Sequence, residues 1–232
     1  MAGTVPTPRL FVRNERNNTV LNWHQAPKAE FHLYGEAFWK AAKTLLQQNE
    51  ALDRWPGASF DASVIVYLYR HALELFLKGI LLGRGGELVD PPPAISASHS
   101  LEKLLPDVRR IFAECGWDKT FGSKTVTSFD DFTVIVAELD RADPKSFSFR
   151  YPVGTDLITG ALDGHFTFSV RQFAFTMDEV LNTLYDACYS LPDIADDQAE
   201  AAHEAWCEAM QDGEPPECEP SETIFGPLLH SR

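Results

Sequence analysis

The chain has 232 residues, of which 44% are hydrophobic and 23% are charged, and its formal net charge is −14. This composition is ordinary for a soluble globular protein that buries a full core. The longest apolar run is shorter than the ~20 residues that a membrane span needs, and the chain lacks the basic excess of a protein that binds nucleic acid with its whole surface.

The negative charge is concentrated at the C-terminal end. Residues 193–232 hold eleven of the 34 acidic residues but one of the 20 basic ones, which gives −10, whereas residues 1–192 sum to −4. We therefore expect an N-terminal arm or small hairpin (1–27), a helical bundle (28–192), and an acidic helix with a flexible tail (193–232). A local basic groove on the nearly neutral body is compatible with this balance.

The N-terminal region offers weak signals. The opening MAGTVPTPRL lacks the apolar stretch of a signal peptide, and the four cysteines form no CxxC pair, so we expect reduced thiols in a cytoplasmic protein. Two β-like runs, Leu10–Val12 and Thr19–Trp23, surround the turn-prone Asn14–Asn18. They fit either a hairpin or a loosely ordered arm.

Three helical patterns follow in the first half of the chain. Lys28–Glu50 repeats apolar residues at helical spacing. A second helix, capped by Asp61, runs to about Leu82 and stops at the glycines beyond it. The third begins near Ser98–Ser100 and reaches Gly116, with a bend at its proline.

The second half adds two helices and an extended segment. Ser128–Leu139 opens with a serine and two aspartates, which favour a helix N-terminus. Aromatic residues occupy every second position of Ser146–Pro152, which predicts an edge strand. The turn-rich Gly160–Phe168 would form a hairpin with that strand. Ser169–Leu191 is the fifth helix, and a separate amphipathic stretch follows over Asp196–Met210. The predicted fold class is all-α, an antiparallel helical bundle with one short extended insertion.

The second helix carries an unusual polar stripe. Tyr67–Leu82 is apolar almost all the way round, yet Arg70, Glu74 and Lys78 recur at four-residue steps with His71 beside them. Burying a charge costs several kcal/mol unless it is paired and hydrogen-bonded. The stripe is therefore either a set of i,i+4 ion pairs on a solvated edge or a polar groove inside the bundle.

These residues carry a resemblance to a known family. The string YRHALELFLKGILL, a Gly/Pro-rich loop and HSLEKLL over His99–Leu105 together resemble the core of the HEPN superfamily. Asp143 with Phe149–Pro152 is similar to a subgroup of uncharacterised bacterial HEPN-like proteins. The resemblance covers Phe31–Leu191. It implies an antiparallel helical bundle, frequent homodimers, and roles in RNA cleavage, nucleotide binding, toxin–antitoxin pairs or antiphage defence.

One departure from the family concerns its catalytic motif. The ribonucleases of the superfamily that this chain resembles carry an Arg and a His on one helix, separated by four to six residues. None of the seven histidines in this chain has an Arg at that distance, because Arg70 directly precedes His71 and seven residues separate Arg16 from His24. RNA cleavage by that route is not expected, and the sequence favours a non-enzymatic protein over an enzyme.

A candidate ligand-binding set combines the stripe with two later segments. Its members are Arg70, His71, Glu74, Lys78, His99, Arg150 and Tyr151. A His beside a Glu serves as a general acid or base, which makes His99, Arg70 and Glu74 the catalytic candidates, and the cations would clamp a phosphate. The aromatic residues around Arg150 would stack on a nucleobase or pack on the bundle. The alternative for the whole set is a structural network that fixes helix register.

Two further segments carry residues suited to binding. His203 and Cys207 offer only two strong metal ligands, so we predict no metal and no cofactor. The acidic C-terminal region is either a solvated tail or an interaction element. The residues predicted to dock a partner are Trp206, Ile224, Phe225, Leu228 and Leu229.

Together these features favour a HEPN-like binding or regulatory module. It would be a homodimer, part of a bacterial defence or toxin–antitoxin-type system, that contacts a protein partner through residues 193–232 and also takes RNA or a nucleotide. The first alternative is an RNA- or nucleotide-processing enzyme with a non-standard site around His99, Arg70 and Glu74. The second is a structural subunit of a larger complex.

Overall fold

The computed structural model describes residues 30–48, 59–94, 99–119, 121–143, 146–151 and 167–211. Within these ranges the chain forms five α-helices and no strand, which confirms the all-α fold class. The helices are α1 (Phe31–Gln48), α2 (Ser59–Leu82), α3 (Leu105–Glu114), α4 (Phe129–Ala142) and α5 (Val170–Gln211), with a 3₁₀ helix at Arg84–Leu88. The predicted N-terminal arm, most of the predicted hairpin at Gly160–Phe168, and the docking residues Ile224, Phe225, Leu228 and Leu229 lie outside the described residues.

The central helix is α2, as its apolar character on every side predicts. The helix α1 packs along it in the opposite direction, because Trp39 contacts Phe76 whereas His32 lies against Gly79. The two backbones approach closely, since a Cβ at Gly79 would lie 3.1 Å from the backbone nitrogen of His32. A side chain at position 79 would therefore push α1 away from the core.

The remaining helices enclose α2 on its other sides. The helix α5 runs in the same direction as α2, because Tyr69 contacts Asp178 and Phe76 contacts Tyr185 further along both helices. The helices α3 and α4 run antiparallel to each other, because Phe112 contacts Phe129 whereas Arg109 contacts Thr133. Stacked and edge-to-face rings form an aromatic cluster beside them. Its rings belong to Phe112, Phe121, Phe129 and Phe132.

Two helix starts follow from local chemistry. The predicted cap of α4 is confirmed: the Ser128 hydroxyl accepts from the Asp131 N–H at 3.1 Å, and the Asp131 carboxylate accepts from the Ser128 N–H at 3.0 Å. The helix α3 begins at Leu105 rather than near Ser100, with Pro106 in its first turn. A proline there sacrifices no intrahelical bond, since the first N–H groups of a helix have no partner within it.

The predicted break in the last helix is wrong. The helix α5 continues for 42 residues through Pro192. A proline removes one intrahelical hydrogen bond and crowds the preceding turn. Leu191 and Ala195, on either side of it, are both buried against the bundle, so packing holds the helix axis where local propensity favours a stop.

The predicted edge strand at Ser146–Pro152 is also wrong for the residues described there. The N–H groups of Arg150 and Tyr151 both donate to the carbonyl of Phe147, at 3.0 and 3.3 Å, which makes a turn. Asp143 Oδ1 accepts two backbone N–H groups of the same segment, at 2.6 and 2.8 Å. A buried carboxylate thus supplies the acceptor that a neighbouring strand would have provided, and Ser146 and Phe149 are the buried residues of the described segment.

Candidate functional site

A completely buried arginine, Arg70, lies at the centre of an ionic cluster. Its Nη1 is 3.4 Å from Glu74 Oε2, its Nη2 is 3.5 Å from Asp140 Oδ1, and its Nε is 3.7 Å from Asp143 Oδ2. Nη2 also donates to the backbone carbonyl of His99 at 2.8 Å. The guanidinium is therefore surrounded by acceptors of the protein itself.

The aspartates of the cluster hold the loops that surround α2. Asp140, in the last turn of α4, accepts from the Ser100 hydroxyl at 2.7 Å and from the Leu101 N–H at 2.9 Å. Asp143 follows the end of α4 and holds the turn before Tyr151. The cluster thereby fixes the segment that carries His99 and the segment that carries Arg150 against the same helix.

The outer side of the cluster contains a histidine–carboxylate pair. Glu74 Oε1 accepts from Lys78 Nζ at 2.7 Å and lies 2.9 Å from His99 Nδ1. Burial favours the protonated carboxyl of Glu74, but the hydrogen bonds and charges of Lys78 and His99 outweigh it and lower its pKa. An ionised acceptor at Nδ1 selects an imidazole that is protonated on that nitrogen. The His99 side chain is 55% exposed, so this geometry is suited to general acid–base chemistry.

A second group of side chains lies beside this pair, on the surface. The rings of Tyr67 and His71, one turn apart on α2, stack with their centroids 5.7 Å apart and their planes 10° apart. The guanidinium carbon of Arg150 lies 5.5 Å from the Tyr67 ring and 5.8 Å from the Tyr151 ring. We call Tyr67, His71, Arg150 and Tyr151 the aromatic–arginine platform.

The platform is partly open to solvent. Arg150 and Tyr151 are exposed, whereas Tyr67 and His71 are half-buried. Burial lowers the pKa of His71, and the positive charges of Arg70 and Lys78 act in the same direction against the opposing charge of Glu74. His71 therefore contributes a neutral ring, and Arg150 contributes the positive charge.

The structure thus divides the seven predicted site residues between two neighbouring groups. Arg70, Glu74, Lys78 and His99 form one hydrogen-bonded cluster, and the other three belong to the platform. The i,i+4 pairs along the stripe do form, but they are buried rather than on a solvated edge. The burial of Arg70 does not fit the predicted contact with a ligand phosphate, and it favours the structural interpretation for that residue.

Sequence reasoning missed Asp140, although the chain contains a signal for it. On α4 the buried residues Phe132 and Val136 precede Asp140 at four-residue steps. A carboxylate that continues an apolar stripe must find a partner in the core. The partner is Arg70, seventy positions away in the chain.

A second polar cluster was missed for lack of any local signal. Asp178 Oδ1 on α5 accepts from Trp39 Nε1 at 2.6 Å and from the Tyr69 hydroxyl at 2.9 Å. Burial and the charge of Asp178 raise the pKa of the Tyr69 phenol, so it stays a donor. This cluster joins α1, α2 and α5 and has a structural role.

No group of three or more histidine, cysteine, aspartate or glutamate side chains that would hold a metal ion occurs among the described residues. None of the described helices combines the length and apolarity that crossing a bilayer requires. Comparison of the chain with protein-family models, curated proteins and solved structures finds no match, so its function is argued from the geometry of these two groups.

Proposed function

We propose that this chain is a HEPN-like binding module that takes single-stranded RNA or a nucleotide on the aromatic–arginine platform. The observation that carries the proposal is the exposed Arg150, whose guanidinium lies over two tyrosine rings. The resemblance of α2 and of the His99–Leu105 segment to the HEPN core supports the same class of ligand. The predicted homodimer and the role in bacterial defence rest on that resemblance alone.

The platform has the chemistry that unpaired nucleotides require. An aromatic ring that stacks on a base contributes about 1–3 kcal/mol and does not depend on base identity. A guanidinium binds phosphate through two parallel hydrogen bonds. Tyr151, which is 49% exposed, offers an aromatic ring, and Arg150 offers the cation.

The platform is also held in place before any ligand arrives. Phe147 stacks on Tyr151 with ring centroids 4.5 Å apart, and Asp143 anchors the turn through two backbone N–H groups. Ordering side chains on binding costs free energy. A platform that is already ordered avoids much of that cost.

The test is a binding titration with a fluorescently labelled ten-nucleotide RNA of mixed sequence. We expect Arg150→Ala and Tyr151→Ala each to weaken binding by about tenfold, in line with the loss of one phosphate contact or one stacked base. Arg109→Ala is the matched control, because the Arg109 guanidinium also lies over an aromatic ring, 4.7 Å from Phe129, at the end of α4 opposite to Asp143. Equal weakening by Arg150→Ala and Arg109→Ala would show charge attraction without a site and would contradict the proposal.

A second candidate function is supported by the pairing of His99 with Glu74. An exposed imidazole oriented by a buried ionised carboxylate is suited to proton transfer in RNA or nucleotide hydrolysis. His99→Ala tests this sharply, because Arg70 binds the backbone carbonyl of His99 and not its ring. The substitution therefore leaves that contact of the cluster intact.

The assay for this second function incubates wild type and His99→Ala with a labelled pool of cellular RNAs, with and without Mg²⁺. Cleavage that is lost in the variant at an unchanged unfolding temperature supports an enzyme. Cleavage that persists in the variant excludes His99 as its catalyst. A large fall in the unfolding temperature instead assigns the imidazole to the structural cluster.

A further inference from the structure

The C-terminal part of α5 extends beyond the core of the bundle. Ala195 is its last buried residue, and from Asp196 to Met210 every side chain is exposed or half-buried. These fifteen residues rise by ~22 Å along the helix axis. Close to the bundle, Asp196 forms an ion pair with Arg84 at 2.7 Å, and the helix then continues to Gln211.

This projecting part of α5 is amphipathic. One side presents apolar residues at steps of three and four, which are Ala199, Ala202, Trp206 and Met210. Trp206 and Met210 are 50% and 51% exposed. The opposite side presents acidic residues at the same steps, which are Asp197, Glu200, Glu204 and Glu208.

The charges on this helix oppose its own stability. Acidic side chains three and four residues apart repel one another, and no Lys or Arg occurs between Pro192 and Gln211 to offset them. Glu208 lies in the last turn of α5, where the helix dipole is itself negative. A partner that covers the apolar side and brings positive charge would relieve both effects.

We propose that Asp197–Met210 of α5 docks as a helix into an apolar groove of a partner protein whose rim carries Lys and Arg. Trp206 is the central anchor, because a half-exposed tryptophan gains the most from burial in a pocket, and helix-in-groove binding uses this spacing of apolar residues. A second copy of the chain is a poor occupant, since it would bring a second acidic stripe. The proposal is independent of the RNA-binding function.

The probe for the test is a fluorescein-labelled synthetic helical hairpin whose two helices form a leucine-lined groove bordered by lysines, titrated with the full chain at physiological salt. We expect Trp206→Ala/Met210→Ala to weaken binding by about tenfold or more. Glu200→Gln/Glu204→Gln/Glu208→Gln should weaken binding and remove most of its salt dependence. Phe175→Ala is the control, because Phe175 is 52% exposed on the same helix within the bundle region.

Three results of the titration would overturn the proposal. They are no binding by the wild-type chain, binding unchanged by the Trp206→Ala/Met210→Ala pair, and equal weakening by Phe175→Ala. Sedimentation of the unlabelled chain tests the competing occupant. A dimer that dissociates when Trp206 and Met210 are replaced would assign this face to a second copy and would also overturn the proposal.

Discussion

Replacing Arg70 by methionine tests whether the ionic cluster stabilises the fold. Methionine is long enough to fill most of the space of the arginine stem, so the change removes the charge with a small cavity. It leaves three carboxylates, those of Glu74, Asp140 and Asp143, with Lys78 as the neighbouring cation. Arg70→Met therefore measures the free-energy cost of burying these carboxylates without the guanidinium that pairs with them.

The expected magnitude follows from this arrangement. Breaking a buried ion pair by removing one partner costs about 3–5 kcal/mol, out of a total stability of about 5–15 kcal/mol for a folded protein. For a protein of this length, 1 kcal/mol shifts the unfolding temperature by about 2–4 °C. We expect Arg70→Met to lower the unfolding temperature by about 6–20 °C.

A triple variant separates the loss of stability caused by unpaired charge from the loss caused by altered packing. Arg70→Met/Asp140→Asn/Asp143→Asn removes two of the unpaired charges, while each asparagine keeps an oxygen that accepts the backbone N–H groups bound now. We expect it to recover about half of the loss, because neutral groups in place of a buried ionic cluster are tolerated far better than unpaired charges.

The assay is urea denaturation followed by circular dichroism, with the free energy of unfolding taken by linear extrapolation. A loss below about 1 kcal/mol for Arg70→Met, within the range of an exposed ion pair, would refute the argument that the cluster is a buried structural element. A triple variant no more stable than Arg70→Met would refute the claim that unpaired charge is the cause.

Three further predictions concern single groups. Asp178→Ala should lower the free energy of unfolding by about 2–4 kcal/mol, because the Tyr69 hydroxyl and the Trp39 N–H lose their acceptor. Asp178→Asn keeps one acceptor oxygen and should lose less stability. Equal losses for the two variants in urea denaturation would argue against the hydrogen bonds as the cause. Burial lowers the pKa of His71 below 6.5, the ordinary pKa of a histidine. As the pH falls below 6.5, His71 therefore takes up its proton in the unfolded chain before it does so in the folded one, and the free energy of unfolding decreases. His71→Phe should make the unfolding temperature less dependent on pH in this range. Parallel curves of unfolding temperature against pH for the two proteins would contradict the prediction. Burial raises the pKa of the Cys188 thiol to about 12, so a thiol reagent should modify Cys188 only as the protein unfolds, and rapid modification of the folded protein would be inconsistent with its position.

Much of the fold follows from interactions within a few residues along the chain. The apolar periodicity of α1 and α2 and the capping chemistry of Ser128 act over one or two helical turns, so the sequence predicts them well. The strand predicted at Ser146–Pro152 failed because its alternation is local, whereas the acceptor that shapes the segment is the buried carboxylate of Asp143. The break predicted near Pro192 failed because tertiary packing of Leu191 and Ala195 outweighs the local cost of a proline.

The contacts of the candidate site are likewise of two kinds, local ones that the sequence predicts and tertiary ones that it does not. The spacing of Arg70, Glu74 and Lys78 on one helix fixes their contacts, because residues four apart on a helix are neighbours wherever that helix lies. The sequence also requires that a charge on an almost wholly apolar helix find partners. It cannot specify that Asp140 and the carbonyl of His99 supply them, since those contacts exist only when α4 and the preceding loop pack on α2.

The sequence by itself therefore determined the all-α fold class, the polar stripe on α2 and the acidic C-terminal region. The tertiary structure decided that Arg70 faces inward, that Arg150 lies on the surface over Tyr67 and Tyr151, and that α5 projects beyond the core. The physical reason is that helix formation and capping depend on near neighbours, whereas the exposure of a side chain depends on which distant segments cover it.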